Sequence, residues 1–166
     1  DDAAMAEAQD ALLTSPGYAE PYKIFGKVYG KRNEHQKAFE NFRIAAMITP
    51  REVETRYNLA LAYDNLGEME YAIKQYERIL NDSPGQAKAY FFLSRAYAKD
   101  KQYDKALNML NQGHQLNKED VIDLFKIGDI FYDHKEYNSA REVYALGFNT
   151  KKDLAMVNYK LGLCHL

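Results

Sequence analysis

The side chains best suited to chemistry are few and scattered. Four histidines, His35, His114, His134 and His165, and one cysteine, Cys164, are the first candidates for a base or a nucleophile. A histidine beside a cysteine can activate a thiolate, but consecutive residues of a helix point about 100° apart. His165 also shares a register with Tyr29, Tyr63, Tyr97 and Phe131, which assigns it to packing. Asp64 with Glu68, and Glu68 with Glu70, offer carboxylate pairs of the kind used in acid–base work. Yet Glu68 and Glu70 fall where a helix begins, and a helix dipole favours negative charge there. HExxH, CxxC, GxSxG, a glycine-rich phosphate loop and EF-hand spacing are all absent. The sequence therefore implies no catalytic residue, no metal and no cofactor, and the question becomes what the polar residues are positioned on.

Composition bounds the answer. A folded chain of 166 residues buries roughly 70% of its unfolded surface. The apolar share of 46%, with four prolines and nine glycines, fits an ordered protein and not a disordered one. A net charge of −2 gives no global field for phosphate backbones or anionic membranes, and the "TKK" run at 150–152 reads as a solvated turn. No nucleic-acid partner and no membrane insertion are expected: no apolar run of about 18 residues occurs, and "DDAAMAEAQDALL" does not resemble an export leader. One cysteine excludes an internal disulfide framework, which suits the cytoplasm slightly better than the periplasm and decides neither.

The elements emerge when the chain is slid against itself, because an offset of 34 residues aligns nearly all of it. Phe25, Leu59, Leu93, Ile127 and Leu161 share one register, each followed by a small residue: Gly26, Ala60, Ser94, Gly128 and Gly162. Ala4, Ala38, Ala72, Ala106 and Ala140 share another, and Phe42, Tyr76, Leu110 and Tyr144 follow four residues after four of them. Each unit holds two apolar stretches with helical spacing, as in Leu59, Tyr63 and Leu66, then Ala72, Ile73, Tyr76, Ile79 and Leu80. Gly67 ends the first helix and Pro84 the second. The unit is an antiparallel helical hairpin, and a hairpin of this size buries its apolar face only by stacking on its neighbours.

The pattern of Tyr22, Phe25, Gly26, Tyr29, Ala38, Phe42, Ala45 and Pro50 resembles the tetratricopeptide repeat family. It recurs as Leu59, Ala60, Tyr63, Ala72, Tyr76 and Pro84, with Arg56 in place of the first aromatic. Later units depart from it, with Lys118 and Lys152 in place of proline and Gly113 and Gly147 in place of alanine. The resemblance implies an all-α, right-handed superhelical solenoid. Repeats are expected at 19–52, 53–86, 87–120 and 121–154, with 1–18 the second helix of a preceding repeat and 155–166 the first helix of a following one. Such a chain is expected to be part of a longer array, with apolar ends through which copies pair into homo-oligomers.

The resemblance also implies that first helices line an inner, concave face. The positions that point away from the core there are Lys23, Lys27 and Lys31, then Tyr57, Asn58, Leu61, Asp64 and Asn65. Lys88, Phe91, Phe92, Arg95 and Lys99 follow, then Phe125, Lys126, Asp129 and Tyr132, then Met156, Tyr159 and Lys160. Aromatic and aliphatic anchors alternating with lysine and arginine suit a protein or peptide partner, acidic with apolar anchors. Some co-chaperones of this family clamp a terminal carboxylate with Lys, Asn, Asn, Lys and Arg; Lys23, Asn58 and Lys88 match that set, while Lys27 and Phe92 replace one Asn and the Arg. Phe cannot read a carboxylate as a guanidinium does. The sequence thus supports a non-enzymatic adaptor, with a self-assembly module as the alternative.

Overall fold

A computed structural model describes residues 2–118, 121–150, 159–160 and 162–164. All regular structure among them is helical. First helices of 13 residues, α2 (Ala19–Lys31), α4 (Val53–Asn65), α6 (Ala87–Lys99) and α8 (Val121–Asp133), alternate with second helices of 14 residues, α3 (His35–Ile48), α5 (Met69–Asp82), α7 (Tyr103–Leu116) and α9 (Tyr137–Thr150). A further helix, α1 (Asp2–Thr14), precedes them. The first helices start 34 residues apart, and so do the second. Two compact units divide at Ile79 and Leu80, inside α5.

The turn inside each hairpin has one geometry. Asn33, Gly67, Lys101 and Lys135, spaced by 34, adopt left-handed backbone with φ of 59°, 79°, 61° and 64°. The N–H of the following residue, Glu34, Glu68, Gln102 or Glu136, donates at 2.9 Å to the carbonyl of Tyr29, Tyr63, Tyr97 or Phe131. Each left-handed residue donates in turn to Gly30, Asp64, Ala98 or Tyr132. This is the Schellman arrangement that satisfies the last carbonyls of a helix. The residue that receives the chain from it also starts the next helix, since Ala38, Ala72, Ala106 and Ala140 donate back to Glu34, Glu68, Gln102 and Glu136. A whole register is thus explained by three-residue turns. The sequence marks it only at Gly67.

In the first unit, Ala38, Phe42, Leu59 and Ala62 form a buried cluster against Tyr29, Phe39, Ala46 and Tyr63, with the Phe39 and Tyr63 rings 4.9 Å apart. Tyr76 is fully enclosed. In the second unit Leu110, Leu124, Ile127, Phe131, Val143 and Tyr144 are each 1% exposed or less. Buried Ser94 takes the small-residue position on α6 and donates its hydroxyl to the Ala106 carbonyl at 2.6 Å, tying α6 to α7.

The small residues are required by close approach. A Cβ on Gly26 would lie 2.5 Å from the Phe42 ring, and one on Gly128 would lie 2.4 Å from the Tyr144 ring. Gly113, where the family pattern has alanine, is held by Tyr90, whose Cβ would lie 2.9 Å from an added methyl. Leu161 and His165, and most of the expected helix at 155–166, lie outside the described residues.

Two predictions follow from this geometry. Gly26→Ala and Gly128→Ala gain about 1 kcal/mol of helix propensity but overpack a closed contact at a cost of about 1–3 kcal/mol, for a net loss of up to about 2 kcal/mol in urea unfolding. Lys101→Gly and Lys135→Gly relieve a left-handed non-glycine residue and are expected to raise stability by about 1 kcal/mol; an unchanged or lower midpoint would remove the turn argument.

Candidate functional site

The side chains placed on the first helices by sequence divide sharply once their surroundings are known. Lys23 is 5% exposed. Its ammonium lies 2.7 Å from Glu20 Oε2, 2.9 Å from Glu52 Oε1 and 3.6 Å from Glu54 Oε2. Burial alone would depress its pKa, but hydrogen bonds to Glu20 and Glu52 outweigh that and hold it well above the ordinary lysine value. Glu52 also accepts from the Thr55 hydroxyl at 2.5 Å and the Thr49 hydroxyl at 3.0 Å. Thr55, Lys23 and Thr49 together bring its carboxyl down to about 2 against the opposing effect of burial. Lys27 donates to Glu54 at 2.7 Å, which lowers the Glu54 pKa. Lys23 is therefore a structural ion that joins α2 to the start of α4, and it is not a free cation for steering a partner.

Other expected face residues belong to the fold as well. Phe91 is 2% exposed and Asp64 5%, so neither presents its side chain to solvent. Tyr57 is half-buried, its ring 6.2 Å from Tyr76, and burial pushes its phenol up to about 12. Phe125 packs against Tyr144 at 6.3 Å and Tyr132 against Tyr137 at 5.3 Å. Asp129 accepts from Tyr144 Oη and from Lys160 Nζ, both at 2.6 Å. Tyr159 is 65% exposed. Met156 lies outside the described residues.

Among the described residues, several of the others line a hollow in the first unit or one in the second. In the first unit a cavity of about 380 Å³ is lined by Gly26, Gly30, His35, Ala38, Phe42, Asn58, Leu61 and Ala62. Lys27, Lys31 and Asn65 line it as well. Asn58 Nδ2 and His35 Nδ1 are buried without a hydrogen-bond partner among the described residues. In the second unit a cavity of about 500 Å³ lies among Lys88, Phe92, Asn117, Ile122, Asp123 and Lys126. Phe92 is capped by two cations, with Lys88 Nζ 5.6 Å and Arg95 Cζ 4.7 Å from its ring centre. Lys126 pairs with Asp123 at 3.3 Å, whereas Lys88 has no carboxylate partner among the described residues. Arg95 and Lys99 are engaged. His35, Asn117, Ile122 and Asp123 were not expected on these faces; Ile122, 65% exposed, is an apolar residue outside the repeating core registers, and that mismatch was its one signal.

The remaining reactive groups do not converge. His114 is partly buried in α7 and its pKa is lowered by that burial and by Lys118. His134 lies 6.0 Å from the Tyr103 ring. Burial raises the Cys164 pKa, which disfavours the thiolate. Among the described residues no cluster of His, Cys, Asp and Glu could hold a metal ion, and no helix is long and apolar enough to cross a membrane.

Comparison with known proteins supports the same picture. Two family models described as tetratricopeptide repeat match residues 54–85 and 70–125. The human protein O-mannosyl-transferase TMTC1 is 26% identical over 148 residues, covering 87% of this chain. The chain spans only 17% of that relative's length. Among solved structures, MamA covers 92% of this chain and 89% of its own at 18% identity and a TM-score of 0.75. YrrB, described as a TPR protein with an unusual peptide-binding site, covers 98% of this chain and 82% of its own at 18% identity and a TM-score of 0.75. These likenesses establish an all-α helical repeat fold of the solenoid class.

The Glu52 cluster makes stability depend on pH. A carboxyl whose folded pKa is depressed stabilises the protein above its ordinary value of 4.5, and that contribution is lost as pH falls towards 2. Glu52→Gln is expected to flatten the decline of melting temperature over that window, read by circular dichroism. An equal decline in both proteins would show that the cluster carries no linkage.

Proposed function

Because this chain is a tetratricopeptide repeat protein, we propose that it serves as a non-enzymatic scaffold, holding an extended partner polypeptide against the open faces of its first helices. One observation carries this reading: in each unit a hollow beside a first helix sets exposed apolar side chains, which helix packing does not use, next to lysines. Leu61, 38% exposed, borders the first, and Ile122, 65% exposed, borders the second. Apolar groups beside Lys27, Lys31, Lys88 and Lys126 have the mixture of anchors and polar rim found in recognition surfaces. The description of YrrB as a peptide binder supports the same class of ligand for a chain of this fold.

Charge refines the expected partner. Lys23 and Lys27 are neutralised by Glu20, Glu52 and Glu54, so the first unit offers little attraction for an acidic segment. Lys88 is the cation best placed to receive a carboxylate, with Phe92 beneath it as an apolar contact. A partner with apolar anchors and an acidic residue for the Lys88 hollow fits both units. The carboxylate-clamp arrangement is weakened, because Lys23 is enclosed and Phe92 stands in the arginine position.

A phage-displayed library of random linear peptides tests this directly. Selected peptides are expected to bind the wild type with micromolar affinity and to lose at least about tenfold, about 1.4 kcal/mol, on Leu61→Glu or Lys88→Glu. Arg78→Glu, on the exposed side of second helix α5, should be neutral. Equal binding to all three variants would place the ligand elsewhere.

A further inference from the structure

A hydroxyl residue stands directly before proline at one register of the chain, as Ser15–Pro16, Thr49–Pro50 and Ser83–Pro84. Each pair lies where a second helix hands over to the following first helix. The prolines end the second helices, but packing does not require the hydroxyls, because the next linker has Asn117 at the same register. Proline turns the residue before it towards extended backbone. Serine or threonine held extended before proline is the form that proline-directed kinases accept.

The three positions differ in their surroundings. Thr49 is closed, its hydroxyl 3.2 Å from the Ala45 carbonyl, 3.0 Å from Glu52 Oε2 and 3.1 Å from the Thr55 hydroxyl. Ser15 is exposed, but the first turn of the helix that follows it carries Glu20, already bound to Lys23. Ser83 is partly exposed between exposed Asp82 and Pro84, and the first turn of the helix that follows it carries exposed Lys88. The Gln86 N–H donates to the Ser83 carbonyl at 3.3 Å and the Ala89 N–H to the Gln86 carbonyl at 2.9 Å. A turn of this kind spans less than about 7 Å between its end Cα atoms, so it brings Ser83 back beside the start of α6, within reach of a lysine stem. Lys88 has no carboxylate partner among the described residues, and its ammonium rests 5.6 Å from the Phe92 ring centre. An exposed contact of that kind is weaker than a charge-assisted hydrogen bond to phosphate. Asn81 and Asp82, the last residues of α5, are exposed, and helix ends fray readily, which opens the stretch before Ser83 to a kinase.

We propose that Ser83 is phosphorylated by a proline-directed serine/threonine kinase, and that the phosphate draws the Lys88 ammonium off Phe92, withdrawing the cation that the second-unit hollow offers to an acidic partner. The kinase transfers the γ-phosphoryl group of ATP. The bond from Ser83 Oγ to that phosphorus forms, and the bond from the phosphorus to the β–γ bridging oxygen breaks. ADP departs with the electron pair, and the hydroxyl proton passes to the catalytic aspartate of the kinase. The product carries a charge of about −1.5 to −2 at pH 7. The loss of partner affinity rests on the reading of Lys88 as part of a recognition surface; the modification and its pairing with Lys88 do not.

The test treats the folded protein, well below its melting temperature, with ATP and a proline-directed kinase of the mitogen-activated class, and reads the product by mass spectrometry. Phosphate is expected on Ser83, lost in Ser83→Ala and kept in Ser15→Ala. In a phosphorus NMR titration the second pKa of this phosphate, ordinarily about 6, should lie lower because an ammonium stands beside it. Lys88→Met should raise it again while leaving the phosphate on Ser83. The Phe92 ring signals should shift when the wild type is phosphorylated and stay still in Lys88→Met. Absence of phosphate at Ser83, phosphate confined to Ser15, or a phosphate pKa that ignores Lys88→Met overturns the proposal. Library peptides that lose binding on Lys88→Glu should bind the phosphorylated protein at least about tenfold more weakly. If they bind it unchanged, the regulatory role is wrong and the recognition face stands. If no peptide depends on Lys88, the face in this unit is wrong and the regulatory role falls with it, while the pairing of Ser83 phosphate with Lys88 is decided by the phosphate pKa.

Discussion

The structure depends on a close approach between helices within each hairpin. A small residue of the first helix, Gly26, Ala60, Ser94 or Gly128, lies in the register that faces Phe42, Tyr76, Leu110 or Tyr144 on the second. Where the small residue is glycine, an added methyl would stand less than 3 Å from the aromatic ring. Such a contact tolerates neither a rotation nor a shift of either helix, because dense interiors transmit strain. It fixes which side of each first helix is buried and which side stays exposed. Close packing at one register is thus the origin of the open face, and the polar chemistry of that face is secondary to it.

The turns complete this constraint. With a left-handed residue at the same place in every hairpin, the first helix ends and the second begins within three residues. Two of these residues are lysines, which occupy the left-handed region at a conformational cost. Their persistence in that geometry indicates that the packing of the two helices is strong enough to impose it. The Lys23 cluster plays a comparable part between successive hairpins of the first unit, where Glu52, in the turn before α4, reaches back to a lysine of α2.

The helices and their core were legible because packing registers repeat and chemistry does not disguise them. Ala38, Ala72, Ala106 and Ala140 recur at one spacing, and each is buried. The face was less legible. Helical periodicity separates core from solvent, but it cannot show that Glu52, 29 residues beyond Lys23, neutralises it, since ion pairs depend on the path of a turn. Phe91 was misplaced for a related reason: a first helix that packs on several neighbours buries a wider arc than a two-sided pattern implies. The hollows lined by Leu61 and Ile122 were invisible in the sequence, because a hollow is set by the spacing of neighbouring helices, which leaves no periodic signal.

In the scaffold role we propose, first-helix faces, and not second-helix faces, receive the partner. Chemical-shift mapping with a peptide selected on the wild-type protein tests it most directly. Perturbations are expected to centre on Asn58, Leu61, Asn65, Lys88, Phe92 and Lys126, with the exposed second-helix residues Met47, Tyr71 and Tyr137 unmoved. Perturbations centred on Met47, Tyr71 and Tyr137, with the hollows silent, would contradict it.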